Sequence, residues 1–221
     1  MKRILFAGLL VIILAPGCET SSFITSSWKA PDKQPREYKK ILVLGLIGGN
    51  DRSVREKMEE HIVGDLKMLG YDAVCSCEEF EPRKFDGMSE KEALARLTGS
   101  GIDAVLTVVL LDKKKEKYYT PGRIDYSSYS YYNRNFWEYF NATRNRINNS
   151  GYYTTDTKYF WESNFYDLTA AQTEILYSAQ SQSFNPASTA SLGHEYGQMI
   201  VKDMQKNNVL SMQAPKRLKP M

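Results

Sequence analysis

Histidine is almost absent from this chain: His61 and His194 are the only two in 221 residues. Cysteine is nearly as scarce, with Cys18, Cys75 and Cys77 alone. A zinc site needs several His or Cys ligands at set spacings, and these five residues show no such spacing. No metal is expected. Net charge is missing too. The chain carries 29 basic and 26 acidic side chains. Lys2 and Arg3 belong to a segment expected to be removed, which leaves 27 against 26. Binding phosphate backbones takes concentrated positive charge, so nucleic acid is excluded as the main partner. Reaction signatures are lacking as well. There is no G-x-S-x-G elbow, no G-x-G-x-x-G and no P-loop lysine. Gly45-x-x-Gly48-Gly49 sits between a strand and a helix, where a phosphate could meet helix N–H groups; without those signatures it reads as a tight turn. Glu78, Glu79 and Glu81 cluster, but nothing around them would push two carboxyl pKa values apart for acid–base work. No catalytic residue and no cofactor are assigned, and the expectation is a protein that is not an enzyme.

What is present begins at residue 1. Lys2 and Arg3 precede an apolar run, Ile4 to Leu14, which is too short to span a bilayer as a helix and has secretory length. Ala15-Pro16-Gly17 places small residues before Cys18. This resembles a bacterial lipoprotein signal with its lipobox, although Ala15 stands where leucine is usual. The resemblance implies that residues 1–17 are cut off and that Cys18 carries a covalent lipid. An ordinary signal peptide cleaved near Gly17 is the alternative. The remaining 204 residues suit one domain. Glu19 is not aspartate, and by resemblance to the sorting rule of enteric bacteria it directs the protein to the outer membrane. The expected location is therefore the cell envelope, with a lipid anchor in the membrane.

Residues 18–37 are Ser/Thr-rich and then Pro-rich, and read as a tether, with Trp28 packing on the edge of a domain that spans 38–210. Ile41 to Ile47 is apolar throughout, as in a central strand covered on both faces. A helix starts near Asp51 or Ser53; Val54, Met58, Ile62, Leu66 and Leu69 form its apolar stripe. Glu56, Lys57, Glu59 and Glu60 fall on the opposite face, and Gly70 ends the helix in a left-handed conformation. Tyr71 to Ser76 reads as a strand with Ala73, Cys75 and Cys77 alternating. Ser89 and Glu92 fit a capping box opening a short helix that ends at Gly99 to Gly101. Ala104 to Leu111 is a second apolar strand. Strands follow at 155–167 and 173–182, the latter with Ile175, Tyr177 and Ala179 on one face. A last helix runs from about Ser188 to Asn207 and buries Leu192, Tyr196, Met199, Ile200 and Met204. Residues 211–221 read as a disordered tail. The fold class is α/β (α+β): one mixed sheet of about five strands, packed by about three helices, in the order β-α-β-α-β-β-β-α.

Two stretches draw functional attention. Residues 118–153 are dense in tyrosine and asparagine, lack an apolar period and start with the turn signal Pro121-Gly122. They read as an insertion in a β-hairpin. Tyr126, Tyr129, Tyr131, Tyr132, Phe136, Trp137 and Tyr139 make it the candidate binding surface, since tyrosine offers a flat apolar face and a hydroxyl at low entropic cost. A loop whose rings pack on their own sheet is the other reading. Just before it, Lys113 to Lys117 is either a contact for anionic headgroups or a solvated strand end. Cys75 and Cys77 form C-x-C. They are a redox or metal pair, or two small apolar residues in a core. An extended i,i+2 pair does not readily meet disulfide geometry.

Several segments also resemble a family of bacterial lipoproteins of unknown function: Ser26-Ser27-Trp28; Lys40-Ile41-Leu42-Val43-Leu44 with a helix carrying Arg55 and Glu59; and Gly101-Ile102-Asp103-Ala104-Val105-Leu106. Tyr118-Tyr119-Thr120-Pro121-Gly122, Glu162 to Asp167 and Tyr177 to Ser181 look like Bacteroidetes members. The likeness spans about residues 18 to 210 and brings no catalytic motif. At fold level the domain is distantly similar to the amino-terminal module of the Tol-system propeller protein and to the curli-secretion lipoprotein. The resemblance implies a non-enzymatic module that binds an envelope protein or helps assemble a complex; a glycan or small-ligand binder using the same aromatics is the alternative.

Overall fold

The structure is a computed structural model that describes residues 21–79, 85, 87–120, 152–169 and 173–213. Six strands form one mixed sheet: β1 (Ser22–Lys29), β2 (Ile41–Leu46), β3 (Ala73–Cys75), β4 (Ala104–Thr120), β5 (Tyr152–Asp167) and β6 (Glu174–Phe184). Their order across the sheet is β1-β6-β5-β4-β2-β3. Among the described residues four α-helices accompany it: α1 (Arg52–Met68), α2 (Ser76–Glu79), α3 (Glu90–Gly99) and α4 (Thr189–Lys206). This is the α/β class expected from the alternation, with a mixed sheet.

β2 pairs in parallel with both β3 and β4. The chain leaves β2 through α1 to reach β3 on one side. It then returns through α3 to β4 on the other. Right-handed crossovers in opposite directions put their helices on opposite faces. The core shows the result. Ile41, Val43, Ala73 and Leu106 lie in the main apolar cluster with residues of α1 and α4. Leu42, Ile102 and Val105 meet Leu97 of α3 on the other face. That is why the first half of β2 reads as an unbroken apolar run.

α1 buries the expected stripe, and Gly70 follows it at φ +90°, a backbone region that costs an L side chain energy. α4 lies against α1 and approaches very closely. A Cβ at Gly193 would stand 2.7 Å from the Lys57 carbonyl oxygen, and one at Gly197 would stand 2.9 Å from Asp65 Oδ2. The buried face of α4 is Leu192, Tyr196, Ile200, Val201 and Met204, with Met199 only partly covered. Beneath it the antiparallel half of the sheet carries large rings and small hydroxyls. Trp161 is fully buried and its Nε1–H donates to Ser183 Oγ at 3.2 Å. The Tyr196 hydroxyl meets Ser163 Oγ at 2.9 Å, and burial pushes its pKa up to about 12. The capping box forms as expected: Glu92 N–H donates to Ser89 Oγ and Ser89 N–H to Glu92 Oε2.

Several expectations are corrected. Ser22–Lys29, inside the stretch read as a tether, is edge strand β1, antiparallel to β6. Its polar side chains concealed it, because only Ser22 is buried. Trp28 is about half exposed on that edge. β4 does not stop at Leu111 but continues to Thr120 against β5, so the lysine run is strand: Lys113 pairs with Asp51, and Lys114 lies 3.6 Å from Asp112. Beyond Lys114↔Lys158, among the described residues, β4 and β5 form a ladder only with each other, since β6 ends opposite Lys158. This leaves a two-stranded ribbon of roughly 20 Å. Along β6, a register shift near the Phe165–Tyr166 step makes Leu176 the buried residue, leaving Ile175 only partly covered. At the C-terminus, Gln213 N–H donates to the Leu69 carbonyl at 2.8 Å, so residues 211–213 are anchored; 214–221 lie outside the described residues.

Candidate functional site

Where β2, β3 and α1 meet, one carboxylate organises everything near it. Glu59 is fully buried. Its Oε1 accepts from Gly45 N–H at 2.8 Å and from Ser76 Oγ at 2.8 Å. Its Oε2 accepts from Cys77 N–H at 3.2 Å and lies 3.0 Å from Cys75 Sγ. Among the described residues no Lys or Arg forms an ion pair with it. The guanidinium of Arg55, one turn earlier on α1, has its Nε buried without a hydrogen-bond partner. A buried charge is tolerated only when its lone pairs are satisfied, and here Gly45 N–H of β2, the Ser76 hydroxyl and Cys77 N–H of α2 do that. Gly45 is the residue that permits it. A Cβ there would stand 2.7 Å from Arg55 Cγ and 2.9 Å from Glu59 Oε1. Gly45 therefore belongs to the strand and to this carboxylate, and the turn begins later, at Gly48.

Cys75 ends β3 and Ser76 starts α2, so Cys77 is helical and not the next strand residue. In an extended strand, residues two apart are separated by about 6.6 Å. The change of direction at Ser76 brings the Cys75 and Cys77 Cα atoms to 5.2 Å, and their sulfurs are joined as a disulfide. That corrects the expectation of two unbridged side chains on one face of a strand. Cys75 is buried at 4% exposure while Cys77 is exposed. The ligand atoms of Glu59, Cys75 and Cys77 lie within 4.8 Å of one another. This is the one such acidic, histidine or cysteine triple among the described residues.

A second polar cluster lies between α1 and α4. The His61 and His194 rings meet edge to face with centroids 5.4 Å apart. Asp65 is buried beside them, and its Oδ2 has no hydrogen-bond partner. Burial pushes the Asp65 carboxyl above its ordinary range, while His194, His61 and Lys202 pull it back. Nothing in the sequence pairs the two histidines, because 133 positions separate them and only helix packing brings them together.

Cys18 and the candidate surface of Tyr126, Tyr129, Tyr131, Tyr132, Phe136, Trp137 and Tyr139 lie outside the described residues. What is described is the ribbon that holds both ends of the insertion. Tyr119 faces Tyr153 across the strands with ring centroids 5.1 Å apart. Tyr118, Tyr119, Tyr152 and Tyr153 are all exposed, Tyr153 to 73%. No described helix is long and apolar enough to cross a membrane.

No protein-family model and no curated protein matches this chain. Among solved structures, it is similar to the PelC dodecamer from Paraburkholderia phytofirmans, with 10% identity, a TM-score of 0.42, and coverage of 85% of this chain and 98% of that one. It is also similar to the lipoprotein GNA1162 from Neisseria meningitidis, with 17% identity, a TM-score of 0.41, and coverage of 76% and 98%. A lipoprotein is thus among its structural neighbours. At this distance the likeness carries no argument about activity or partners.

Proposed function

We propose that this chain is a lipid-anchored lipoprotein of the cell envelope whose α/β domain binds an envelope protein or helps to assemble a complex. It belongs with the Bacteroidetes-like lipoproteins that its segments resemble, and Cys18 holds it in the outer membrane. It acts without a cofactor and not as an enzyme. The observation that carries this reading is the ribbon. Two strands leave the sheet and hold four exposed tyrosines at the base of an aromatic insertion. Aromatic side chains on a stiff support bury much area at small entropic cost, which suits a protein contact. Removing residues 121–151, closing the ribbon with a two-residue turn, and crosslinking in intact cells tests it. Loss of crosslinked partners is expected; an unchanged set of partners refutes the ribbon as the contact.

The Tyr119–Tyr153 pair also favours a second reading, a glycan or small-ligand site that stacks on those rings. A change in tyrosine fluorescence on adding sugars, lost in Tyr119→Ala, would support it over the first.

A further inference from the structure

We propose that Cys75 and Cys77 are a reversible redox pair that exchanges its disulfide with a dithiol on a partner protein, and that Glu59 positions the buried sulfur for that exchange. The assignment stands on three features of the site. The first is asymmetry. Cys77 is exposed and Cys75 is not, so a sulfur arriving from solvent can reach only Cys77, and the group it displaces is Cys75. The second is the carboxylate. Glu59 Oε2 lies 3.0 Å from Cys75 Sγ, and a thiolate facing a carboxylate at that distance is disfavoured by like-charge repulsion. Once released and protonated, Cys75 is therefore held as a thiol, whose S–H has an acceptor already in place. The third is loop length. A bridge that spans a single residue removes little conformational freedom from the unfolded chain, so stability gives no adequate reason for it. An extracytoplasmic location, as the sequence implies, is where such a pair would persist in its oxidised form.

The exchange balances in two steps. A partner thiolate attacks Cys77 Sγ, the Cys75–Cys77 bond breaks, and Cys75 Sγ takes up the proton that the attacking thiol gave up. The partner's second thiol, as thiolate, then attacks its own sulfur in the mixed disulfide. Its disulfide forms, and Cys77 leaves and is protonated. Two electrons and two protons pass from partner to this protein, and the reverse sequence returns them.

The test uses the full-length chain in detergent, with glutathione as the thiol probe. The protein is equilibrated in buffers of stepped reduced-to-oxidised glutathione ratio without denaturant, quenched in acid, and tagged with a maleimide polymer that adds a fixed mass to each free thiol. Cys18, its sulfur taken up by the lipid thioether, adds no tag in any sample. Two tags appearing together in one reversible transition are expected, absent from the Cys75→Ser/Cys77→Ser double variant. Cys75→Ser alone should accumulate a glutathione adduct on Cys77, having no second sulfur to release it. Glu59→Gln removes the charge that opposes the Cys75 thiolate, so reduction should quicken about tenfold and the reduced Cys75 should become alkylatable at lower pH. If Glu59→Gln does not fold, Ser76→Ala, which loosens the same carboxylate, should shift the rate in the same sense. A pair that stays oxidised until urea unfolds the chain overturns the proposal. So do thiols that become taggable only after a chelator is added, which would mark a metal centre, and an adduct that never forms on Cys77. An unaltered rate and pH profile in both the Glu59 and Ser76 variants removes the role of Glu59.

Discussion

Gly45→Ala is the sharpest perturbation of this fold, because its backbone and packing effects oppose each other. Gly45 is not among the glycines at positive φ, so alanine fits its backbone. On that count alone the substitution stabilises by about 0.4–1 kcal/mol through a less flexible unfolded chain. Packing acts the other way. The new methyl stands 2.7 Å from Arg55 Cγ and 2.9 Å from Glu59 Oε1. The Arg55 stem can swing aside. Glu59 cannot move without loosening its bonds to Gly45, Ser76 and Cys77. Overpacking costs about 1–3 kcal/mol, and a weakened hydrogen bond to a charged group costs about 1.5–3 kcal/mol. The net expectation is a loss of about 2–4 kcal/mol, or roughly 5–12 °C in Tm for a domain of this size. Urea unfolding followed by the fluorescence of the buried Trp161 measures it. Gly64→Ala is the control: an exposed position inside α1 with nothing within 4 Å of the added Cβ, expected to gain about 1 kcal/mol. Arg55→Ala removes the nearer clash, so Gly45→Ala should cost less in that background. A Gly45→Ala protein as stable as the parent, beside a stabilised Gly64→Ala, would refute the account of Glu59 as a fixed carboxylate packed on this strand.

Three further outcomes follow from the same geometry. Gly193→Ala should destabilise more than Gly197→Ala, because its methyl meets the Lys57 backbone at 2.7 Å whereas the other meets a side-chain oxygen first; paired urea titrations check the order. Tyr196→Phe orphans the buried Ser163 hydroxyl and should cost about 1–3 kcal/mol, read by the same titration. Asp65→Asn should stabilise at neutral pH. The folded carboxyl is raised, mainly by burial, so the protonated form is favoured on folding. Its contribution is most favourable below the ordinary carboxylate pKa and is lost as pH rises through the raised one. The gain from Asp65→Asn should therefore shrink as pH falls toward about 4, and a gain constant with pH would contradict it.

The residues themselves were enough for the helical layer. Val54, Met58, Ile62 and Leu66 announce α1 because apolar side chains at three- and four-residue steps have one face to bury. Ser89 and Glu92 announce the start of α3 because a capping box is satisfied within four residues. Ile41 to Leu44 announce a central strand by being apolar on both faces. Tertiary structure alone decided the rest. β1 is polar and gains strand form only from the free edge of β6. β4 runs through its lysines because β5 supplies partners that local sequence does not encode. Leu176 exchanges places with Ile175 through a shift in pairing register. Glu59, which by sequence belongs with the charged face of α1, is buried where Gly45 of β2 and Cys77 of α2 point N–H groups at it. Cys77 meets Cys75 because the chain turns at Ser76. Periodicity records which side of an element is apolar, whereas a buried carboxylate and its sulfurs depend on donors contributed by distant segments, and those exist only once the sheet has assembled.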